Sequence, residues 1–220
     1  MGGSATFPFS NMIALRSATG GELWRFFRAI ASGESVKGIR ILERTPRLAS
    51  ECAQVAATRE KAREYFLDAI DHYVYAGDTA LHIAAAAYET EIAKELIARG
   101  ANLRARNRRG AEPLHYAADG IPGSSHWNPI AQADVIEILI RAGADPNAKD
   151  KSGVAPLHRA VRTRCAAAVR ALLANGADPH TKNGSGSTPL HLAIRNTGRG
   201  GSGTEPARAQ QAEIIRLLAG

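Results

Sequence analysis

Apolar residues along this chain recur in short clusters at three- and four-residue intervals, punctuated by glycine, asparagine, aspartate and proline. That period belongs to amphipathic helices burying one face each. The clearest clusters are Glu91–Ile97, Asp134–Ile140, Ala168–Leu173 and Glu213–Leu218. Upstream, Glu22–Gly33 predicts a helix and its turn. Val36, Ile39, Ile41 and Leu42 predict a second helix, closed by Thr45 and Pro46. Thr58–Tyr73 predicts a further amphipathic helix with Ala62, Tyr65, Phe66, Ala69, Ile70 and Tyr73 on one side. The longest apolar stretches, such as Ile83–Tyr88, fall far short of the ~18 residues a membrane span needs.

The clusters are repeated. Thr79-Ala80-Leu81-His82-Ile83-Ala84, Glu112-Pro113-Leu114-His115-Tyr116-Ala117, Ala155-Pro156-Leu157-His158-Arg159-Ala160 and Thr188-Pro189-Leu190-His191-Leu192-Ala193 are versions of one segment, with histidines 33, 43 and 33 residues apart. Gly100, Gly143 and Gly176 head a second motif, spaced 43 and 33 apart. These segments and this period resemble the ankyrin repeat, with its T-P-L-H-x-A signature. The resemblance spans about residues 72–220. It implies an all-α solenoid of antiparallel helix pairs joined by β-turn fingers. Proline at the first helical position suits a helix start, small alanines allow close helix contact, and the three glycines suit left-handed helix caps. His82, His115, His158 and His191 are then structural, each bracing neighbouring turns by hydrogen bonds.

The expected organisation is a flexible tail over residues 1–21, a degenerate capping repeat plus an extra helix over 22–76, and four repeats at about 77–106, 107–149, 150–182 and 183–220. Two repeats carry glycine- and serine-rich insertions between their helices, at about 119–133 and 196–210. Both fall at one place in the repeat, so they should project from one edge, as tolerated surface loops or as a binding edge. Trp127 in the first insertion is either pinned on the solenoid or offered as an interface anchor. The final outer helix has no polar cap after it. Truncation, a covering chain or tolerated exposure would each account for that.

Composition narrows the chemistry. Two cysteines, Cys52 and Cys165, are too few for a disulfide framework and read as small buried residues in a reducing compartment, with cytoplasm as the default. The four repeated histidines lie in different layers and cannot converge on one metal ion. No phosphate loop or nucleophile elbow is present. A non-catalytic protein without cofactor or metal is expected.

The net charge of +7 is carried mostly by arginine. What the resemblance implies is that partners meet the finger tips and the exposed side of the inner helices. Matching the repeats places Tyr75, Arg106, Arg108, Arg109, Ala111, Lys149, Lys151, Arg162, Lys182 and Arg195 there, against the acids Asp78 and Asp119. The concave face should be a basic strip that holds a protein with an acidic stretch. Nucleic acid is the alternative, supported by the cluster Arg104–Arg109 but with few aromatics along the strip for base stacking. A third reading is an architectural spacer with no ligand on the strip.

Overall fold

The computed structural model describes residues 21–55, 57–58, 61–195 and 204–220. The expected tail, up to residue 20, and the first part of the second insertion, 196–203, lie outside the described residues. Ten α-helices are described: α1 (Glu22–Ala31), α2 (Ser35–Arg44), α3 (Ala80–Ala87), α4 (Thr90–Ala98), α5 (Pro113–Ala117), α6 (Pro129–Arg141), α7 (Pro156–Arg162), α8 (Ala166–Ala174), α9 (Pro189–Ile194) and α10 (Glu205–Ala219). The odd-numbered helices pack in an inner row and the even-numbered ones in an outer row, each layer touching the next. The core therefore runs continuously from Trp24 to Leu218.

Residue size sets the spacing. Helix α3 reads Ala-Leu-His-Ile-Ala-Ala-Ala-Ala, and its first six residues are buried. It sits between α1 and α5 with α4 behind it, and alanine leaves room for three close neighbours. In the first and third repeats the inner helix ends on a left-handed residue, Tyr88 or Arg164, and the outer helix begins two residues later. In the second repeat residues 119–128 replace that tight turn. Helix α6 starts at Pro129, capped by the Asn128 side chain, so the last residues of the expected insertion are its first turn. Likewise α10 begins at Glu205, inside the second expected insertion.

The helix expected over Thr58–Tyr73 does not form. Residues 63–65 and 68–70 are single 3-10 turns, and β1 (Phe66–Leu67) pairs antiparallel with β2 (His72–Tyr73). Asp71 at the turn takes a left-handed φ of 50°. The apolar spacing fitted a helix, but tertiary hydrogen bonds decided otherwise. Val74 N–H donates to Tyr65, Ala57 N–H to Val74, and Gly77 N–H to Ala53. Phe66 and Tyr73 face each other across the hairpin at 4.7 Å, while Tyr65 turns inward against Trp24 at 5.8 Å.

The fingers are joined through their backbones. Arg108 N–H donates to Ala76, Lys151 N–H to Arg109, and Gly184 N–H to Ser152. Such close approach needs glycine. Gly153 has a φ of 69°, and a Cβ there would lie 2.6 Å from the Gly184 nitrogen. Gly176, a helix cap at φ 88°, has nothing within 4 Å of the same position. Both strain an alanine, but only Gly153→Ala also forces two fingers apart. Urea unfolding should place Gly176→Ala about 1 kcal/mol below wild type, and Gly153→Ala lower by roughly 2 kcal/mol or more. Equal losses would show that the finger contact carries no stability.

Candidate functional site

Inner helices α3, α5 and α7 are each tied to the next finger by a histidine. Nδ1 of His82, His115, His158 and His191 accepts from the backbone N–H of Thr79, Glu112, Ala155 and Thr188, at 3.1–3.2 Å. An accepting Nδ1 carries no proton, so the neutral ring carries it on Nε2. Nε2 of His82, His115 and His158 then donates to the carbonyls of Ala111, Val154 and Ser187 at 3.0–3.1 Å. One side chain thus satisfies a helix N-terminus and spans to the following repeat. Burial opposes charging: it pulls the pKa of His82 and His158 down, and that of His115 to about 4, aided by Arg159.

The inner helices and fingers form one wall of a cavity of about 880 Å³. The hairpin supplies a second side through Ile70–Tyr73, and the insertion loop a third through Gly120–Pro122 and His126–Trp127. The hairpin turn and the loop come together where His126 Nδ1 lies 3.9 Å from Asp71 Oδ2. Four of the five tyrosines line this space: Tyr73, Tyr75, Tyr88 and Tyr116.

Beneath it lies a buried polar network. Asp78 is fully buried and accepts from Tyr75 N–H, Asn107 Nδ2 and Tyr116 Oη at 2.6–2.9 Å. Burial and Asp78 push the Tyr116 phenol well above its ordinary pKa, so it stays a donor. Arg159, 8% exposed, binds Asp119 at 2.9 Å and Asp150 at 3.3 Å. Burial works against its charge, but Asp119 and its other neighbours outweigh that and raise its pKa. Burial also pulls at Asp150, yet the Val154 and Ser152 N–H groups and Arg159 hold its carboxyl below the usual range. Within this wall His72 Nε2 and Arg159 Nε are buried without a hydrogen-bond partner among the described residues.

The predicted strip residues divide into groups. Arg106 donates from Nε to Gly110 and from Nη2 to the Lys149 carbonyl, and Lys149 Nζ donates to the Lys182 carbonyl at 3.1 Å. These two tie one finger to the next. Arg162 lies 3.8 Å from Asp119. Arg108 and Arg109 sit over the Tyr75 ring at 5.0 and 4.6 Å. Among the described residues neither of them, nor Lys151, Lys182 or Arg195, has a carboxylate within 4 Å. All five are exposed. Trp127 is half-buried and donates from Nε1 to the buried Gln132 at 2.9 Å.

Three expectations need correction. Asp78 belongs to the buried network and not to the finger surface. Ala111, placed among the finger-tip residues with Arg108 and Arg109, is also buried. Aromatics do line the groove, because the region read as a helix instead brings Tyr73 and His72 over it. Arg159 and Gln132 were missed. Arg159 carried a readable signal, since its equivalents Ile83, Tyr116 and Leu192 are uncharged. Gln132 carried none.

Family comparison supplies the class. Models of the ankyrin repeat match residues 51–125, 109–151 and 139–193. The chain is an ankyrin-repeat protein. No curated protein matches it. Ankyrin repeats are generally protein–protein interaction modules and typically non-catalytic scaffolds. In this ankyrin-repeat chain no group of three or more His, Cys, Asp or Glu is placed to hold a metal, among the described residues. None of its described helices is long and apolar enough to cross a membrane.

The histidine clips make a pH prediction. The unfolded chain takes up a proton at His115 near pH 6.5, whereas the folded chain resists until about pH 4. Stability from this site is complete above pH 6.5 and lost as pH falls towards 4, by about 3 kcal/mol. Chemical unfolding of wild type and His115→Gln should therefore converge across that window. A gap independent of pH would contradict the neutral clip.

Proposed function

We propose that this protein is a non-catalytic scaffold that holds an acidic stretch of another protein on its basic finger tips. The observation that carries this reading is Arg108, Arg109 and Lys151: exposed cations on adjacent fingers, with no carboxylate within 4 Å among the described residues. Neighbouring arginines and lysines that pair internally, such as Arg159, are already neutralised. Charges left unpaired on a rigid ladder are organised before a partner arrives, which lowers the ordering cost of binding. Complementary acid on the partner would speed encounter and fix its orientation.

The test is affinity capture from nuclease-treated lysate at 150 mM salt, comparing wild type with the variant Arg108→Glu/Arg109→Glu/Lys151→Glu. A partner held by wild type and lost with the folded triple variant is expected. Capture that survives the charge reversal would remove the finger tips from the site. Binding that disappears with nuclease, and falls roughly 10³-fold between 50 and 200 mM salt, would point to phosphate contacts instead.

A further inference from the structure

The groove between the hairpin and the insertion loop adds a second requirement. These two elements lie beside the regular repeats, and each presents a large exposed apolar side chain at the cavity: Tyr73, 40% exposed, from β2 and Ile121, 43% exposed, from the loop. Trp127 lines the same space, pinned by Gln132 and so held in one orientation. Rigid, partly exposed apolar side chains around a cavity are how interfaces build a pocket for an anchor residue. Arg109 and Lys151 line the cavity too, joined through the backbone hydrogen bond from Lys151 N–H to Arg109. Apolar walls and unpaired cations therefore meet in one cleft.

The interior argues against a nucleic acid strand. Tyr75 is covered by Arg108 and Arg109, and Tyr116 by His72 at 4.5 Å, so these rings are already engaged and poorly placed to stack on a base. A peptide does not depend on base stacking. It can insert a neutral side chain between the walls and set its acids against Arg108, Arg109 and Lys151.

We propose that this cleft is a specificity pocket for a partner segment that places a bulky apolar side chain beside acidic residues. The apolar side chain packs between Tyr73 and Ile121, against Trp127, and the flanking acids meet the finger-tip cations. The pocket rests on the acidic-partner reading for its flanks, but its own residues are different.

The test uses synthetic peptides with the protein as it exists. The probe is a fluorescein-labelled peptide with one phenylalanine between two Asp-Glu pairs. Its controls are an alanine-for-phenylalanine peptide and an amide peptide with asparagine and glutamine for the acids. Binding is read by anisotropy, and entry into the cleft by tryptophan emission of unlabelled peptide. Trp24 is buried against Phe27 and Tyr65, and the Trp127→Phe protein supplies its background. The expected result is a Trp127 emission change with the phenylalanine peptide and about tenfold weaker binding for the alanine peptide. A similar loss should follow Tyr73→Ala and, separately, Ile121→Ala, whose exposed loop position spares the fold. Equal binding of both acidic peptides, abolished by the triple charge reversal but untouched by Ile121→Ala, would overturn the pocket and leave the acidic-partner reading standing. Failure of the phenylalanine peptide to bind at all, or its displacement by oligo-deoxythymidine together with direct oligonucleotide binding, would also overturn it.

Discussion

Every layer of this molecule depends on satisfying the backbone where one repeat meets the next. A stack of short helices exposes unpaired N–H groups at each inner helix start and unpaired carbonyls at each finger, at about 1–3 kcal/mol for every buried group left alone. The neutral imidazole answers both at once. His82, His115 and His158 accept at Nδ1 from their own helix and donate at Nε2 to the next finger. The ring must have two nitrogens in opposite roles, so it must stay uncharged. Burial ensures that it does.

The finger ladder follows from this clip and in turn arranges the charge. Once adjacent fingers share backbone hydrogen bonds, side chains at equivalent positions fall into rows. Arg106 and Lys149 spend their donors on the next carbonyl of the row. One step along the finger, Arg108 and Lys151 have no such acceptor among the described residues and are exposed, with Arg109 beside them. The difference between a brace and a free cation is thus one of register, because all are basic residues on the same turns. Deeper in, Arg159 occupies a position that is uncharged in the other three repeats, and two aspartates converge on it to make its burial tolerable. Asp119 is one of them, and it stands where the insertion loop begins.

The repeats were readable because a period of 33 places equivalent residues in equivalent environments. Four copies of one hydrogen-bonding problem leave four copies of one answer, so the histidines, the helix-starting prolines and the capping glycines could be found without coordinates. The first insertion was readable as an interruption of that period. Thr58–Tyr73 was not readable, since the segment occurs once. Its apolar spacing suits a helix, and only the chain at Ala53 and Ala57 pairing with it selects the hairpin.

Sequence alone therefore determined what is local and repeated: helix pairs, finger turns and their order. Tertiary structure decided what depends on meetings between distant, unrepeated segments. It buried Asp78 beneath Tyr116, closed Arg159 between Asp119 and Asp150, and brought the hairpin and the insertion loop together around one cavity. The physical reason is the range of the interactions. Helix periodicity and capping act within a few residues. Desolvation of a charge, by contrast, depends on everything packed around it, and its partners here lie up to 40 positions away.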